Sequence, residues 1–123
     1  MITILLVDDQ QTVRQGLRMR LALEPDVMVV GEADDGAAAL DLAHSLQPDV
    51  VIMDVALPGM DGLTATAQLR TLAPRSAVVV LSLYDDAETR ERAFTCGAVA
   101  FVGKHETAET LPSVIRQAAQ RPH

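Results

Sequence analysis

Five polar residues stand where short apolar segments of the sequence end, and they offer three carboxylates, a hydroxyl and an ammonium. They are Asp8, Asp9, Asp54, Ser82 and Lys104. Three clustered carboxylates repel one another, so the pKa of at least one of them would rise unless a cation lay among them. Mg²⁺ suits such a place, because it takes about six oxygen ligands, typically one or two carboxylates with waters and phosphate oxygens. The ammonium and the hydroxyl can bind phosphate oxygens and an aspartate can be a nucleophile, so the set favours phosphoryl transfer.

Each of these residues also has an ordinary explanation when it is taken alone. Adjacent aspartates most often form turns or caps, and a single serine or lysine beside a loop usually has no chemical role. Cys96 is expected to be a small core or helix-end residue. A site is favoured because the five polar groups fall at the same end of four apolar segments, whereas unrelated residues would be scattered over both ends.

The apolar segments predict strands, and most are apolar without alternation, which is typical of parallel strands buried on both faces. The predicted strands cover residues 2–8, 27–33, 50–54, 77–82 and 99–103. The stretches between them have helical periodicity, and Asp35 is a candidate N-cap of the second helix. The expected buried faces are marked by Val13, Leu17 and Leu21, by Ala37, Leu40, Ala43 and Leu46, by Leu63, Ala67 and Leu69, by Ala93 and Phe94, and by Leu111, Val114, Ile115 and Ala118, with Pro112 in the first turn of the last helix.

Alternation of five strands with five helices predicts an α/β fold with right-handed crossovers and one parallel sheet covered by helices on both faces. In such doubly wound folds, ligands bind outside the carboxyl ends of the strands, where the strand order reverses. If the first and third strands are central neighbours, as in the order 2-1-3-4-5, the three carboxylates converge in one crevice. The 123 residues suffice for one such domain with a single core.

Composition restricts the class of protein. A chain that is 49% hydrophobic and 22% charged is ordinary for a folded domain. The single Cys96 excludes a disulfide framework and suits a reducing cytoplasm, and the start does not resemble a signal peptide. No apolar run approaches the roughly 20 residues of a membrane span. With 10 basic and 17 acidic residues, the net charge of −7 makes direct contact of this domain with nucleic acid unfavourable.

Four motifs at these positions resemble the receiver domain of two-component response regulators. They are VDD after the first strand, MDVALPGMDG around Asp54, LS after the fourth strand, and AFVGK at the end of the fifth. The resemblance covers essentially the whole chain, residues 1–123, and implies a flavodoxin-like (βα)5 sheet of order 2-1-3-4-5. VGEADDGAAAL and LPSVIRQAA are most similar to the NarL/FixJ-type branch, whose receivers commonly precede a LuxR-type helix-turn-helix domain. We expect a C-terminal output domain of that kind, which this sequence does not contain.

The resemblance implies a role for each matching residue. Asp54 would be the phosphoacceptor. Asp9 would bind Mg²⁺ directly and Asp8 largely through water, and the backbone carbonyl of Ala56 would supply a further oxygen. The phosphoryl donor would be a phosphohistidine on a sensor histidine kinase. Beyond slow self-phosphorylation and self-dephosphorylation, no enzyme activity is expected.

The resemblance also implies a switch. Ser82 would be the hydroxyl that turns to the phosphoryl group, Lys104 its cationic partner, and Phe101 the aromatic ring that changes rotamer with it. The surface formed by the fourth helix, fifth strand and fifth helix would then change, with homodimerisation on activation. Charged residues that could form or lose pairs across such a dimer are Arg90, Arg92 and Glu109, although a solvated face is the more common explanation.

A few positions vary within the family pattern. Ser82 stands where threonine is frequent, and Ala56 and Tyr84 occupy the two places thought to tune dephosphorylation. His105 follows Lys104 where many receivers have a cis proline, which leaves the isomer of that peptide bond open.

Other readings of the sequence remain. Arg14 and Arg18 could meet an acidic kinase, or could simply interact with the C-terminal half of their helix. A phosphohydrolase of the HAD type needs a second carboxylate two residues after its nucleophile, where this chain has Ala56. A flavodoxin-like cofactor binder would need a phosphate-binding loop after the first strand, and none is recognisable. The alternative that stays open is a phosphate-independent pseudo-receiver that acts as a protein-interaction module.

Overall fold

Five parallel strands form one sheet in the order β2-β1-β3-β4-β5, and five helices connect and cover them. The structure is a computed structural model that describes residues 1–120, leaving aside the side chains of residues 107 and 108. The elements are β1 Ile2–Val7, α1 Gln11–Leu21, β2 Val27–Ala33, α2 Gly36–Leu46, β3 Val50–Asp54, α3 Gly62–Leu72, β4 Ala77–Ser82, α4 Ala87–Cys96, β5 Ala100–Gly103, a 3-10 turn Lys104–Glu106 and α5 Thr107–Gln120. The predicted doubly wound α/β fold and its strand order are confirmed.

The core lies in two layers, one on each face of the sheet. Successive strand residues point to opposite faces, so Leu5 and Val51 enter one layer while Ile4 and Ile52 enter the other. Helices α2, α3 and α4 cover the first layer, and α1 and α5 cover the second. Because both faces are buried, the central strands have no polar face, which explains their uninterrupted apolar runs.

Three predicted helix faces were partly wrong. In α2 the buried residues include Ala39 instead of Ala37, and Leu46 at the helix end is 41% exposed. In α3 Ala65 is buried while Ala67 is exposed. Phe94 of α4 is 43% exposed. In alanine-rich helices the buried and exposed faces differ little in polarity, so sequence does not mark the buried face clearly. Each residue turns the helix by roughly 100°, so choosing a residue one or two positions away places the predicted buried face away from the core.

The helix and strand ends show where sequence signals hold and fail. Asp35 accepts a hydrogen bond from the N–H of Ala38 at 2.7 Å, as expected of an N-cap. Strand β1 stops at Val7, one residue before the prediction, and β5 starts at Ala100, one residue after it. Pro112 is not in the first turn of α5, because the 3-10 turn after β5 leads directly into a helix that already begins at Thr107. None of the helices in residues 1–120 is long and apolar enough to span a membrane.

Candidate functional site

Asp8 lies directly after β1 and is 1% exposed. Its N–H donates to the carbonyl of Ala33 at 3.1 Å, which continues the pairing of β1 with β2 by one residue. Its Oδ1 accepts from the N–H of Gln10 at 2.9 Å, and its Oδ2 lies 2.9 Å from Lys104 Nζ. The strand end and the following turn therefore hold this carboxylate pointing into the sheet edge.

Asp54 is the last residue of β3 and is 2% exposed. Its Oδ1 accepts from the N–H of Ala56 at 3.2 Å, and its Oδ2 lies 3.2 Å from Lys104 Nζ. The start of α3 packs on its backbone so closely that a Cβ on Gly62 would lie 1.9 Å from the Asp54 carbonyl oxygen. Position 62 therefore requires glycine, because the α3 backbone lies too close to the Asp54 backbone for a side chain to fit.

The carboxylates of Asp8, Asp9 and Asp54 come together as the sequence predicted. One oxygen from each lies within 4.8 Å of the others, and Asp9 is the exposed member. Among the described residues, the buried Oδ2 atoms of Asp8 and Asp54 make no hydrogen bond of good geometry, although both face the Lys104 ammonium. Two buried carboxylate oxygens that share the Lys104 ammonium, beside a third carboxylate open to solvent, fit a hard divalent cation such as Mg²⁺.

The site perturbs the titration of its own groups. Burial, together with the negative charge of Asp8, raises the pKa of Asp54 to about 6, although Lys104 and the N–H of Ala56 act in the opposite direction. Burial acts to lower the pKa of Lys104, but its pairing with Asp8 and Asp54 outweighs burial and raises that pKa above its ordinary value. The pKa shift of Asp54 therefore follows mainly from its burial, and that of Lys104 arises, against burial, from the closeness of the Asp8 and Asp54 carboxylates to its ammonium.

Ser82 ends β4 at the same edge of the sheet and is 2% exposed. In the strand register, Asp54 of β3 pairs with Leu81, the residue before Ser82. Ser82 itself pairs with Gly103, the residue before Lys104. The Oγ of Ser82 accepts a hydrogen bond from the N–H of Tyr84 at 2.9 Å. The hydroxyl is therefore engaged with the loop that leads to α4.

Phe101 of β5 is buried at 8% exposure, and the guanidinium of Arg90 lies over its ring, 4.8 Å from the centroid. Arg90 also pairs with Asp85, with Nη2 2.9 Å from Oδ1. From the sequence, Arg90 was a candidate for ion pairs across a dimer. In the structure it contacts Asp85 and Phe101 of its own chain. Arg92 and Glu109 are exposed.

The two positions expected to tune the site differ in their surroundings. Ala56 is exposed and contributes its N–H to Asp54, while the Tyr84 side chain is 67% exposed. No cis peptide bond occurs among residues 1–120, so the bond between Lys104 and His105 is trans.

Sequence reasoning missed the role of Arg14 in α1. Its Nη1 donates to the backbone carbonyl of Asp8 at 2.5 Å, and its Nε donates to Glu32 Oε1 at 3.1 Å. Arg18 pairs with the other oxygen of Glu32. The available signal was Glu32, an acidic residue in an otherwise apolar strand beside β1, but nothing in the spacing indicated that it faces α1.

Comparison with known proteins agrees with this geometry. Residues 4–116 match the family described as the response regulator receiver domain. The transcriptional regulatory protein LiaR of Bacillus subtilis (strain 168) is 39% identical over 121 residues, 98% of this chain and 57% of LiaR. The nitrate/nitrite response regulator protein NarL of Escherichia coli (strain K12) is 37% identical over 117 residues, 95% of this chain and 54% of NarL.

A solved structure shows the same likeness in three dimensions. The signal receiver domain of NarL from Mycobacterium tuberculosis superposes with a TM-score of 0.90 at 36% sequence identity, covering 98% of both chains. The chain spans little more than half the length of the curated relatives LiaR and NarL.

Proposed function

The chain belongs to the response regulator receiver domain family, and we propose that it is a phosphorylation-activated switch of a two-component system. In this proposal, Asp54 accepts a phosphoryl group from a phosphohistidine of a sensor histidine kinase, with Mg²⁺ bound beside it. The observation that carries the proposal is the buried Asp54 carboxylate, 3.2 Å from Lys104 Nζ and clustered with two further carboxylates.

The transfer requires an ionised Asp54 and compensation of the charge that gathers around it. A carboxylate oxygen of Asp54 attacks phosphorus, a P–O bond forms, and the P–N bond breaks with its electron pair returning to the imidazole nitrogen. Lys104 already lies within 3.2 Å of Asp54, so its ammonium can bind an oxygen of the incoming phosphoryl group. Such transfers depend mainly on positioning and electrostatic stabilisation.

Asp8, Asp9 and Asp54, with the backbone carbonyl of Ala56, would hold the cation. Bound there, Mg²⁺ would neutralise carboxylate repulsion and polarise phosphoryl oxygens. The chain supplies the rest: Asp8 is fixed by its hydrogen bonds to Ala33 and Gln10, and Asp54 by the N–H of Ala56. These hydrogen bonds hold the Asp8 and Asp54 carboxylates in place before a cation or a phosphoryl group binds.

The signal would leave the site through Ser82 and Phe101. The Ser82 hydroxyl accepts from the N–H of Tyr84 and still has its own hydrogen to donate to a phosphoryl oxygen, so a turn of Ser82 toward that oxygen would shift the loop before α4. Phe101, which is already buried, would change rotamer with Ser82 and lose its contact with Arg90, which would alter the surface of α4, β5 and α5. A ligand shifts such an equilibrium only by its differential affinity for the two states, and the phosphoryl group bonds to Ser82 in one of them.

The relatives support a proposal for the cellular setting. LiaR and NarL are described as transcriptional and response regulators of nearly twice this length. We infer that residues 1–123 are the receiver of a cytoplasmic regulator whose C-terminal output domain contacts DNA, since the net charge of −7 disfavours such contact by the receiver itself. Phosphorylation would favour a homodimer.

Incubation with a small acyl phosphate and Mg²⁺, followed by intact mass, tests the proposal. Wild type and Asp61→Asn should gain one phosphoryl group, because Asp61 caps α3 outside the pocket and asparagine also caps helices well. Asp54→Asn should gain none, and EDTA should prevent the gain in every variant. No gain in wild type, or an undiminished gain in Asp54→Asn, would favour a pseudo-receiver that works without phosphate on Asp54.

A further inference from the structure

Arg14 contacts the backbone of the candidate cation site from outside the carboxylate cluster. It lies in the first turns of α1, and its side chain is 15% exposed. Its Nη1 donates to the carbonyl oxygen of Asp8 at 2.5 Å, while its Nε donates to Glu32 Oε1 at 3.1 Å. One planar guanidinium thus connects α1, the end of β1 and β2.

The carbonyl that Arg14 binds belongs to the peptide unit between Asp8 and Asp9. A peptide unit is planar, so fixing its oxygen also fixes the nitrogen and Cα of Asp9. The preceding peptide unit is already held, because the N–H of Asp8 donates to Ala33 at 3.1 Å. Asp9 is the exposed carboxylate of the cluster, so its direction depends on this backbone more than on packing.

Glu32 keeps Arg14 in place. It sits in β2 beside β1, in register with Leu6, and accepts from Arg14 with one oxygen and from Arg18 with the other. Arg18 is 49% exposed and binds Glu32 without a hydrogen bond to Asp8. The two arginines therefore share an anchor but differ in their contact with the site.

We propose that Arg14 is a positioning residue for the cation site, which fixes the Asp8–Asp9 peptide and thereby the direction of the Asp9 carboxylate. The inference rests on the proposed function, because it assumes that the carboxylates bind Mg²⁺. Charge and positioning predict opposite effects. Removing a cationic side chain close to the site should tighten Mg²⁺ binding if only electrostatics mattered, whereas loss of positioning should weaken it.

The test compares Arg14→Met, Arg14→Lys and the control Arg18→Met with wild type. Mg²⁺ affinity is measured by calorimetric titration, and the free energy of unfolding in EDTA is measured separately by urea denaturation. We expect Arg14→Met to raise the Mg²⁺ dissociation constant roughly tenfold, within the range found when groups that orient metal ligands are removed. Arg14→Lys keeps the positive charge but loses the planar guanidinium that donates to both Asp8 and Glu32. It should therefore weaken Mg²⁺ binding, by a smaller factor than Arg14→Met. Arg18→Met should leave the constant near the wild-type value.

The outcomes separate the possible failures. Tighter or unchanged binding in Arg14→Met, with wild type binding Mg²⁺ normally, overturns this inference and leaves the proposed function standing. Lower stability in EDTA with unchanged Mg²⁺ affinity also overturns it, since that result describes a purely structural ion pair. Wild type that binds no Mg²⁺ overturns the proposed function and this inference with it. If Arg14→Met does not fold, Arg14→Lys against Arg18→Met decides by the same criterion.

Discussion

Replacing Asp54 by asparagine should stabilise the metal-free protein at neutral pH. The folded protein holds this carboxyl 2% exposed and next to Asp8, and its pKa of about 6 lies above the ordinary value of 3.8. A raised pKa in the folded state means that ionisation opposes folding. The stability associated with the neutral carboxyl is fully present below about pH 3.8 and is lost as the pH rises through about 6.

The size of the effect follows from these two values. At 1.36 kcal/mol per pKa unit, the difference between about 6 and 3.8 corresponds to about 3 kcal/mol once the pH is well above 6. The same linkage leaves only about 1 kcal/mol at about pH 4.5, where most of the folded protein carries a neutral carboxyl. Asp54→Asn should therefore gain up to about 3 kcal/mol at about pH 7.5 and much less at about pH 4.5.

Urea unfolding in EDTA, followed by far-UV circular dichroism, measures this difference. Asp41→Asn is the matched control, because Asp41 is an exposed aspartate of α2 whose replacement removes the same charge far from the pocket. The reasoning is refuted if Asp54→Asn is no more stable than Asp41→Asn at the higher pH. A gain of equal size at both pH values would also refute it, since the titration of Asp54 would then not be its origin.

Three further predictions concern single residues. Gly62→Ala should lower the free energy of unfolding by about 3 kcal/mol or more, because its Cβ would lie 1.9 Å from the Asp54 carbonyl. Gly16→Ala should raise it by about 0.5–1 kcal/mol, because its Cβ would meet nothing within 4 Å and alanine favours the helix; parallel urea curves check both, and effects of the same sign would count against the packing argument. Tyr84→Ala should lose its phosphoryl group faster than wild type, because the Tyr84 backbone binds the Ser82 hydroxyl and a bulky side chain at this position is expected to hinder attacking water. Intact mass measured over time gives the rate at which each protein loses its phosphoryl group, and equal rates would show that Tyr84 does not slow this loss.

Much of the fold followed from the apolar runs. Strands 27–33, 50–54 and 77–82 matched to the residue. In 50–54 and 77–82, burial on both faces leaves no polar residue before the last position of the strand. The convergence of the carboxylates then followed from topology, since the carboxyl ends of parallel strands share one edge. That convergence could be predicted because Asp54 ends its strand and Asp8 and Asp9 directly follow theirs.

What the sequence could not predict lies in helix rotation and in long side chains. Ala37 and Ala67 are as apolar as their buried neighbours, so composition did not reveal which alanine faces the core. Arg14 meets Glu32 across 18 positions of sequence, and Arg90 reaches both Asp85 and the ring of Phe101. Such contacts depend on how α1 and α4 sit against the sheet, which periodicity does not determine.

The proposed switch depends on Asp54 itself receiving the phosphoryl group. Borohydride reduction after treatment with an acyl phosphate and Mg²⁺ marks an aspartyl phosphate permanently, and peptide mass mapping then locates the reduced residue. We expect the mark at position 54 alone, and its loss when Mg²⁺ is chelated before the donor is added. A mark at Asp8, Asp9 or any other carboxylate, or a mark at position 54 that forms equally well without Mg²⁺, would show that the proposed magnesium-dependent transfer to Asp54 is wrong.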